Sequence, residues 1–331
     1  MAEYKGIIII GETDQDKLAG ITTELLGCGR KLADALGQEL CAVLIGNGIG
    51  ALAQEAIASG ADKVYVVDDA QLKDYQTDSY VQVMEKLAKQ IMPRVILMGQ
   101  TAIGRDLAPR LAFRLNTAAV NDCIELAIDS ASGSLLQTKP VYGGNARAIF
   151  TTSSFPQIAT LRAKAVAPLA KNAARKGDII SFAAGLDTSQ IKARLIEKQK
   201  ETVAGIRLED ARVIITGGRG IGGVEGFKQL EELARVLKGT LGASRPPCDN
   251  KWVPDSLQVG LTGKIVTPEL YIAVAVSGSS QHMAGCSGAK TIVAINKDPE
   301  ANIFKEARFG VVGDWKKVIP AFTTKIKELM T

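Results

Sequence analysis

The 331-residue sequence contains a single histidine, His282. One histidine excludes every metal site built from several imidazoles, and it leaves His282 as the only base available to a Ser-His-Asp or Cys-His mechanism. The five cysteines are far apart and include no C-x-x-C pair. This spacing argues against zinc or iron–sulfur ligation and is typical of a protein from a reducing compartment. We therefore expect no metal site.

Long apolar runs and blocks of like charge are also missing. No stretch reaches the roughly 18 uncharged apolar residues of a membrane helix, and the isoleucines near the N-terminus are followed at once by Gly11 and Glu12, unlike a signal peptide. The net charge of +5 is spread along the chain and forms no nucleic-acid-binding stripe. These absences predict a cytoplasmic protein whose partners include neither membranes nor nucleic acids.

The length predicts two domains. The first half alternates β-branched runs with amphipathic stretches, which is typical of a parallel sheet covered by helices. Its predicted strands are Gly6–Ile10, Leu40–Ile45, Lys63–Val67 and Arg94–Met98. Its predicted helices are Glu24–Leu36, Ile49–Ser59, Ser79–Ile91 and Ile103–Leu115.

Shorter alternating segments between Asp122 and Phe182 predict an antiparallel addition to the same domain. These segments are Cys123–Ile128, Ser134–Thr138 and Gln157–Leu161. The charged stretch Ile191–Glu201 then predicts a linker. We expect a first domain over residues 1–190, a linker over 191–206 and a second domain over 207–331. The predicted fold class is α/β, with two domains that are each a mainly parallel sheet flanked by helices, the second being Rossmann-like.

The second domain has its own set of predicted elements. The strands are Ala211–Thr216, Leu270–Val276, Thr291–Ile295 and Gly310–Val312, and the helices are Val224–Leu237 and Asp314–Met330.

A glycine cluster follows the first strand of the second domain and opens a helix. It contains the pattern G-x-G-x-x-G at Gly218, Gly220 and Gly223. Glycines at this spacing let backbone N–H groups approach a pyrophosphate at a helix N-terminus, and Arg219 offers a bidentate phosphate contact. The alternative is a glycine-rich turn without a ligand.

The residues where the second strand of a Rossmann unit would end separate one cofactor from another. A nicotinamide-binding Rossmann unit has an acidic residue about 20 positions after its glycines, where it binds the ribose hydroxyls. Here the segment reads Leu241-Gly242-Ala243-Ser244-Arg245-Pro246. Since serine and arginine stand where the acid is expected, the sequence disfavours NAD and leaves NADP open.

Three further segments are dense in small hydrogen-bonding residues at predicted strand ends. They are Gln258–Gly263, Ser277–His282 and Ala294–Asp298. Ligands of open α/β sheets gather at the carboxyl ends of the strands. The three loops therefore predict one long cofactor groove.

Several separated motifs of the second domain resemble a known family. They are LGASRPPCDNKWVPDSLQVGLTGKIVTPELYIAVAVSGSSQHMAG, AINKDPEANIF and GVVGDWKKVIP. Over residues 207–320 their order and spacing are similar to the FAD-binding domain of electron-transfer flavoprotein alpha subunits. The segment GRDLAPRLAFRLNTAAVNDC resembles the first domain of that family. Leu261 departs from the pattern, because many members have glutamine there.

The resemblance implies FAD as the cofactor and also implies its contacts. Arg245 is expected beside the isoalloxazine, the Thr262 hydroxyl near the central-ring nitrogen, and the segment Ser277–His282 around the flavin and ribityl region. The expected cofactor-binding residues are Arg219, Ser244, Arg245, Gln258, Val259, Gly260, Leu261, Thr262, Ser277, Gly278, Ser279, Ser280, Gln281, His282, Asn296, Asp314 and Trp315.

Three of these residues are expected to act directly on electron transfer: Arg245, Thr262 and His282. Fixed positive groups near the flavin pyrimidine raise the potential at which the first electron is accepted. Arg245 is permanently charged, and His282 can supply either a donor or a full charge. The competing interpretations are a solvated arginine and a structural histidine.

The resemblance further implies an electron carrier in an obligate heterodimer with a beta subunit. Its expected partners are acyl-CoA dehydrogenases or other flavoprotein dehydrogenases. The segment ELLGCGRKLADALG is similar to anaerobic members that use NADH to drive electron bifurcation, so ferredoxin or flavodoxin is a further candidate partner. The rival functions are an NADP-dependent oxidoreductase, which would have His282 as its acid or base, and a nucleotide-binding structural subunit without redox activity.

Overall fold

The computed structural model describes residues 3–14, 17–144, 146–197 and 206–330. It forms two compact units. The first comprises Met1–Val141 and Arg147–Lys198, and the second comprises Tyr142–Ala146 and Gln199–Thr331.

A seven-stranded parallel sheet is the centre of the first unit. The strands up to residue 181 are β1 (Ile7–Gly11), β2 (Thr13–Asp14), β3 (Lys17–Leu18), β4 (Leu40–Gly46), β5 (Lys63–Asp68), β6 (Val95–Gly99), β7 (Ala119–Cys123), β8 (Glu125–Ile128), β9 (Leu135–Val141), β10 (Ala146–Phe150), β11 (Gln157–Leu161) and β12 (Asp178–Ser181). The helices are α1 (Gly20–Leu36), α2 (Ala53–Ala58), α3 (Thr77–Ile91) and α4 (Ala102–Arg114). Short 3-10 helices lie at Gly50–Leu52, Ala70–Leu72, Tyr142–Gly144 and Thr188–Gln190.

The main sheet has the order β12-β5-β4-β1-β6-β11-β7. Strand β1 lies near its middle and is buried along its whole length. Ile7 and Ile9 pack into a cluster on one face, and Ile8 and Ile10 pack into a cluster on the other. An unbroken run of isoleucines is the expected composition of a parallel strand that is covered on both faces.

The prediction of an antiparallel addition over residues 122–182 is wrong for two of its strands. Strand β11 lies inside the main sheet, parallel to both β6 and β7, and β12 pairs in parallel with β5. In the same segment β8 and β9 pair antiparallel. All five residues of β11 are buried, which suits a strand with neighbours on both sides. The alternating pattern identified β8, β9 and β11 but placed β11 in the wrong sheet, and it did not single out β10 or β12.

The predicted linker is partly held against the first unit. Residues 191–197 have no regular structure, and residues 198–205 lie outside the described residues. The carboxylate oxygen Oδ2 of Asp78, on α3, accepts hydrogen bonds from the backbone N–H groups of Lys192 (2.9 Å) and Ala193 (3.4 Å). The first residues of the predicted linker are therefore fixed by a side chain.

The second unit is a five-stranded parallel sheet with helices on both faces. Its strands are β13 (Val213–Gly217), β14 (Thr240–Ala243), β15 (Leu270–Val274), β16 (Thr291–Asn296) and β17 (Phe309–Val312), in the order β14-β13-β15-β16-β17. Its helices are α5 (Val224–Val236), α6 (Arg245–Asp249), α7 (Ser280–Cys286), α8 (Ile303–Glu306) and α9 (Trp315–Met330), with 3-10 turns at Leu208–Asp210, Arg219–Ile221 and Asp255–Leu257. These sheets confirm the predicted α/β fold class.

The strand order of the second unit reverses at β13. The chain passes from β13 to β14 on one side and then to β15 on the other. Adjacent β15 residues point to opposite faces: Tyr271 and Ala273 pack into one buried cluster, whereas Ile272 and Val274 pack into the other. Open α/β sheets bind ligands at the carboxyl ends of the strands where such a reversal occurs.

Candidate functional site

A cleft of about 850 Å³ lies at the carboxyl ends of the strands of the second unit. This volume is at the upper end of the roughly 300–1,000 Å³ typical of ligand pockets. Thirteen of the seventeen predicted cofactor-binding residues line it: Arg219, Ser244, Arg245, Gln258, Val259, Gly260, Leu261, Thr262, Ser277, Ser279, Gln281, His282 and Asn296. The three predicted loops and the glycine cluster thus meet at one site.

Two predicted residues near the C-terminus lie outside the lining of the cleft. Asp314 accepts a hydrogen bond from the Lys316 backbone N–H at 3.0 Å, at the start of α9. The buried indole of Trp315 donates from Nε1 to the Gly220 carbonyl at 3.0 Å. Asp314 therefore caps a helix, and Trp315 supports the glycine-rich loop.

The other two predicted residues that do not line the cleft are Gly278 and Ser280. Gly278 lies in the loop before α7, and Ser280 lies in the first turn of that helix. Gly278 has a positive φ of 80°, and a Cβ there would overlap the backbone of Ile303. The Ser280 hydroxyl is exposed and donates to the Gln281 side chain at 3.4 Å. Gly278 is thus required by a turn and by close backbone packing.

The glycine-rich loop is shaped by its contact with the end of β15. A Cβ at Gly218 would overlap the Ala275 carbonyl, and one at Gly220 would lie 3.0 Å from the Ala275 Cβ. Gly222 has a positive φ of 86° and Gly223 one of 157°. The glycine cluster is therefore required by backbone packing at the end of β15, and its backbone also places Arg219 in the wall of the cleft.

The loop from Gln258 to Thr262 carries an internal side-chain hydrogen bond. The Gln258 amide Nε2 donates to the Thr262 hydroxyl Oγ1 at 2.9 Å. A threonine hydroxyl has one proton and can also accept, so a hydroxyl that accepts from Gln258 keeps its proton for another partner. Because Thr262 lines the cleft, it is suited to donate to a ligand.

This loop lies directly on α7. The Leu261 N–H donates to the Gln281 carbonyl at 2.8 Å, and the Val266 N–H donates to the Gly285 carbonyl at 2.7 Å. Glycine at 285 makes the approach possible, because a Cβ there would overlap the backbone of Gly260. Two walls of the cleft are therefore joined through backbone groups.

Arg245 begins α6, a helix that the sequence analysis did not predict. Its guanidinium Nε lies 3.3 Å from Asp249 Oδ2, one helical turn further on, and both side chains are largely exposed. Exposed pairs of this kind contribute about 0–1 kcal/mol. Arg245 therefore remains available to a ligand while a carboxylate partly offsets its charge. The preceding residue, Ser244, does not use its hydroxyl to cap the helix.

His282 lies on α7 with only 5% of its surface exposed. Its Nε2 is 3.0 Å from the Tyr271 hydroxyl, whereas its buried Nδ1 has no hydrogen-bond partner among the described residues. Burial lowers the pKa of His282 to about 4, although the Val259 backbone favours the charged ring. The imidazole is therefore neutral at pH 7, so of the two predicted roles the structure favours the donor over the full charge.

Asn296 supports the wall at the end of β16. Its Nδ2 donates to the Val276 carbonyl at 2.9 Å, and its Oδ1 accepts from the Asp298 N–H at 3.1 Å. These bonds hold two lining loops together. One amide proton remains for a ligand.

Several residues that line the cleft were not predicted from the sequence as cofactor contacts. They are Pro246, Asp249, Ala275, Val276, Glu300, Ala301 and Asn302. Asp249 lies four residues after Arg245, a spacing at which two side chains share one helix face, but the sequence predicted no helix there. The others reach the cleft only through the packing of their loops.

Three features outside the cleft bear on its chemistry. No group of three or more His, Cys, Asp or Glu residues in the described part of the chain could hold a metal ion. All five cysteines are unpaired and buried, and burial raises the pKa of Cys286 to about 12. Among the described helices, none combines the length and the apolar character needed to cross a membrane.

The cleft is suited to an elongated dinucleotide cofactor. It combines a glycine-rich loop with Arg219, a hydroxyl at Ser244 that caps no helix, and a buried nitrogen on His282 without a hydrogen-bond partner among the described residues. An unpaired buried polar atom costs free energy, and a ligand acceptor would relieve that cost. Fold and site together define a Rossmann-like, dinucleotide-binding protein.

Comparisons with known proteins identify the family. A model described as the electron transfer flavoprotein domain matches residues 7–187, and one described as the electron transfer flavoprotein FAD-binding domain matches residues 207–287. The electron transfer flavoprotein subunit alpha of Thermoanaerobacterium thermosaccharolyticum is 47% identical, over 99% of this chain and 100% of its own length. The corresponding subunit of Megasphaera elsdenii is 43% identical, over 99% of this chain and 98% of its own length. That of Bacillus subtilis is 41% identical, over 98% of each chain.

The chain therefore belongs to the family of electron transfer flavoprotein alpha subunits, and its cofactor is FAD. This confirms the predicted family, cofactor and role in electron transport. Alpha subunits pair with a beta subunit, which supports a heterodimer. Family membership favours a flavin-based electron carrier over the NADP-dependent oxidoreductase.

Proposed function

We propose that the chain binds FAD in the cleft of its second unit and, paired with a beta subunit, relays electrons from an acyl-CoA dehydrogenase or another flavoprotein dehydrogenase. One observation carries the assignment of the site. Arg245, Thr262 and His282 come from three separate segments of the sequence, and all three line the same cleft. FAD, when bound, supplies one-electron and two-electron redox chemistry.

Each of the three side chains has a distinct part in this proposal. The guanidinium of Arg245 supplies fixed positive charge that favours arrival of the first electron. The Thr262 hydroxyl is oriented by Gln258 and donates a hydrogen bond to the ligand. His282 is buried and neutral, and it donates a hydrogen bond from Nδ1, the ring nitrogen without a hydrogen-bond partner among the described residues.

The proposal also covers the organisation and location of the protein. We assign residues 1–190 to the contact with the beta subunit, 191–206 to a linker and 207–331 to FAD binding. Five free thiols are typical of a reducing compartment and support a cytoplasmic location. NADH-driven bifurcation with ferredoxin or flavodoxin as a partner stays a prediction, because it depends on the beta subunit.

An absorption spectrum of the protein purified with its beta subunit tests the proposed site. We expect the bands of bound oxidised flavin in the wild type. The combined change of Arg245, Thr262 and His282 to alanine should lower the FAD content at least tenfold. The matched control is Arg212→Ala, which removes an exposed arginine that pairs with Glu269 and does not line the cleft. A folded triple variant with full FAD content would overturn the assignment.

A further inference from the structure

The hydrogen bond between Tyr271 and His282 is buried in the second unit. Tyr271 lies on β15, the central strand of the second sheet, and its side chain is completely buried. Its hydroxyl is 3.0 Å from His282 Nε2. Tyr271 does not line the cleft, whereas His282 does. The tyrosine can therefore reach a ligand only through the histidine.

The surroundings of the pair favour one direction for this hydrogen bond. Burial raises the pKa of Tyr271 well above its usual range, so the phenol keeps its proton and needs an acceptor. Burial also keeps the imidazole of His282 neutral, so one ring nitrogen carries a proton and the other accepts. The neighbouring thiol of Cys286 is directed to the His282 carbonyl at 3.6 Å.

One of the two tautomers agrees better with the groups that surround the pair. If Nε2 accepts from the phenol, the ring proton lies on Nδ1, which has no hydrogen-bond partner among the described residues and faces the Val259 backbone, a group that favours a donor there, so this proton can be offered to a ligand. If Nε2 carried the proton, the phenol would have to direct its own proton to Thr216 or Cys286, and Nδ1 would be a buried acceptor beside the Val259 backbone, which favours a donor. A buried polar group left unpaired is costly, so the first arrangement is favoured.

We propose that Tyr271 is a positioning residue that fixes the tautomer of His282, donating to Nε2 so that Nδ1 presents the hydrogen-bond donor to the cofactor. This inference rests on the proposed function for the identity of the ligand. It adds a specific role for a residue outside the cleft. Because the carbonyl oxygens of a flavin ring accept hydrogen bonds, an Nδ1 donor suits this class of ligand.

The single histidine of the chain makes the tautomer directly measurable. The alpha subunit would be labelled with ¹⁵N-histidine and assembled with an unlabelled beta subunit and FAD, so that only one imidazole is observed by NMR. We expect Nε2 to show the chemical shift of an unprotonated, hydrogen-bonded nitrogen and Nδ1 that of a protonated one. A protonated Nε2 in the wild type would overturn the proposal without any variant.

Tyr271→Phe removes only the hydroxyl and provides the second measurement. We expect the single tautomer to give way to a mixture, and FAD to bind about fivefold more weakly, since one neutral hydrogen bond contributes on the order of 1 kcal/mol. The matched control is Tyr80→Phe, which removes a buried phenol that donates to the Ile45 carbonyl in the first unit. That variant should leave both ¹⁵N shifts and FAD affinity unchanged.

The two outcomes of failure are distinguishable. If Tyr271→Phe leaves the ¹⁵N shifts of His282 unchanged, Tyr271 does not fix the tautomer, whatever the FAD content. If the wild-type heterodimer assembles without FAD in the cleft, the proposed function fails. The ¹⁵N shifts of the FAD-free protein still test whether Tyr271 fixes the tautomer of His282.

Discussion

Gly285 on α7 lies so close to Gly260 that a Cβ at position 285 would overlap the Gly260 backbone nitrogen. The contact joins the loop that carries Thr262 to the helix that carries His282. The positions of Thr262 and His282, both proposed to act on the flavin, therefore depend on the absence of a side chain at residue 285.

The first prediction concerns Gly285→Ala. The added methyl group must displace the backbone of the loop, so we expect a loss of about 1–3 kcal/mol in the free energy of unfolding and a lower FAD content. Denaturation with urea and the flavin absorbance would measure these effects. Gly20→Ala is the matched control, because a Cβ at the start of α1 meets nothing within 4 Å. Equal stability of the two variants would contradict the packing argument.

The second prediction concerns the charge of Asp249. Removing this carboxylate in Asp249→Asn leaves the positive charge of Arg245 without its neighbour at 3.3 Å. The first-electron potential of the flavin should rise by a few tens of millivolts, and Arg245→Ala should lower it. Spectroelectrochemical titration measures both changes. Asp255→Asn removes a carboxylate that pairs with Lys251 outside the cleft, and it should leave the potential unchanged. Shifts of the same sign in Asp249→Asn and Arg245→Ala would refute this electrostatic role.

The third prediction concerns the orientation of Thr262. Gln258→Leu removes the amide that donates to the Thr262 hydroxyl at 2.9 Å, so the hydroxyl is no longer held as a donor to the cleft. One such hydrogen bond corresponds to roughly a twofold to tenfold loss of FAD affinity. Thr262→Val should weaken binding by a similar factor, and the double variant should be no worse than either single one. Additive losses, measured by equilibrium binding of FAD, would mean that the two side chains act separately.

The fourth prediction follows from the pKa of His282, which burial lowers from 6.5 to about 4. An unfolded chain takes up this proton below about pH 6.5, whereas the folded protein takes it up only near pH 4, so stability is lost as the pH falls between these values. Between pH 7 and pH 4.5 the wild type should lose roughly 2 kcal/mol more than His282→Gln does. Urea denaturation of FAD-free protein measures the difference, because bound ligand would otherwise contribute. Equal losses in the two proteins would argue against a buried neutral imidazole.

The sequence predicted the strands and the location of the cleft better than it predicted strand partners. Strand β11 was found, but its place between β6 and β7 is decided by tertiary packing that an alternating pattern does not record. Helix α6 was missed because its sequence RPPCD is short and carries two prolines, which are tolerated there only because they occupy the first turn.

The candidate site was predicted mainly through its loops. Residues that follow strands converge because parallel strands end at one edge of a sheet, and this explains why Arg245, Thr262 and His282 line one cleft. The low pKa of His282 could not be predicted, since it arises from burial in the folded unit. Asp314 caps a helix in the folded chain, which its sequence pattern did not indicate, and its contact with the cofactor stays a prediction.

The burial of all five native thiols makes the chain convenient for site-directed labelling. Reagents such as maleimides react with exposed thiolates, and a buried thiol with a raised pKa reacts slowly. Leu261 is 54% exposed, and its backbone N–H, rather than its side chain, forms the bond to Gln281 that holds the loop. Leu261→Cys would therefore offer one fast-reacting position at the rim of the cleft, where a fluorophore could report cofactor binding and partner docking in real time.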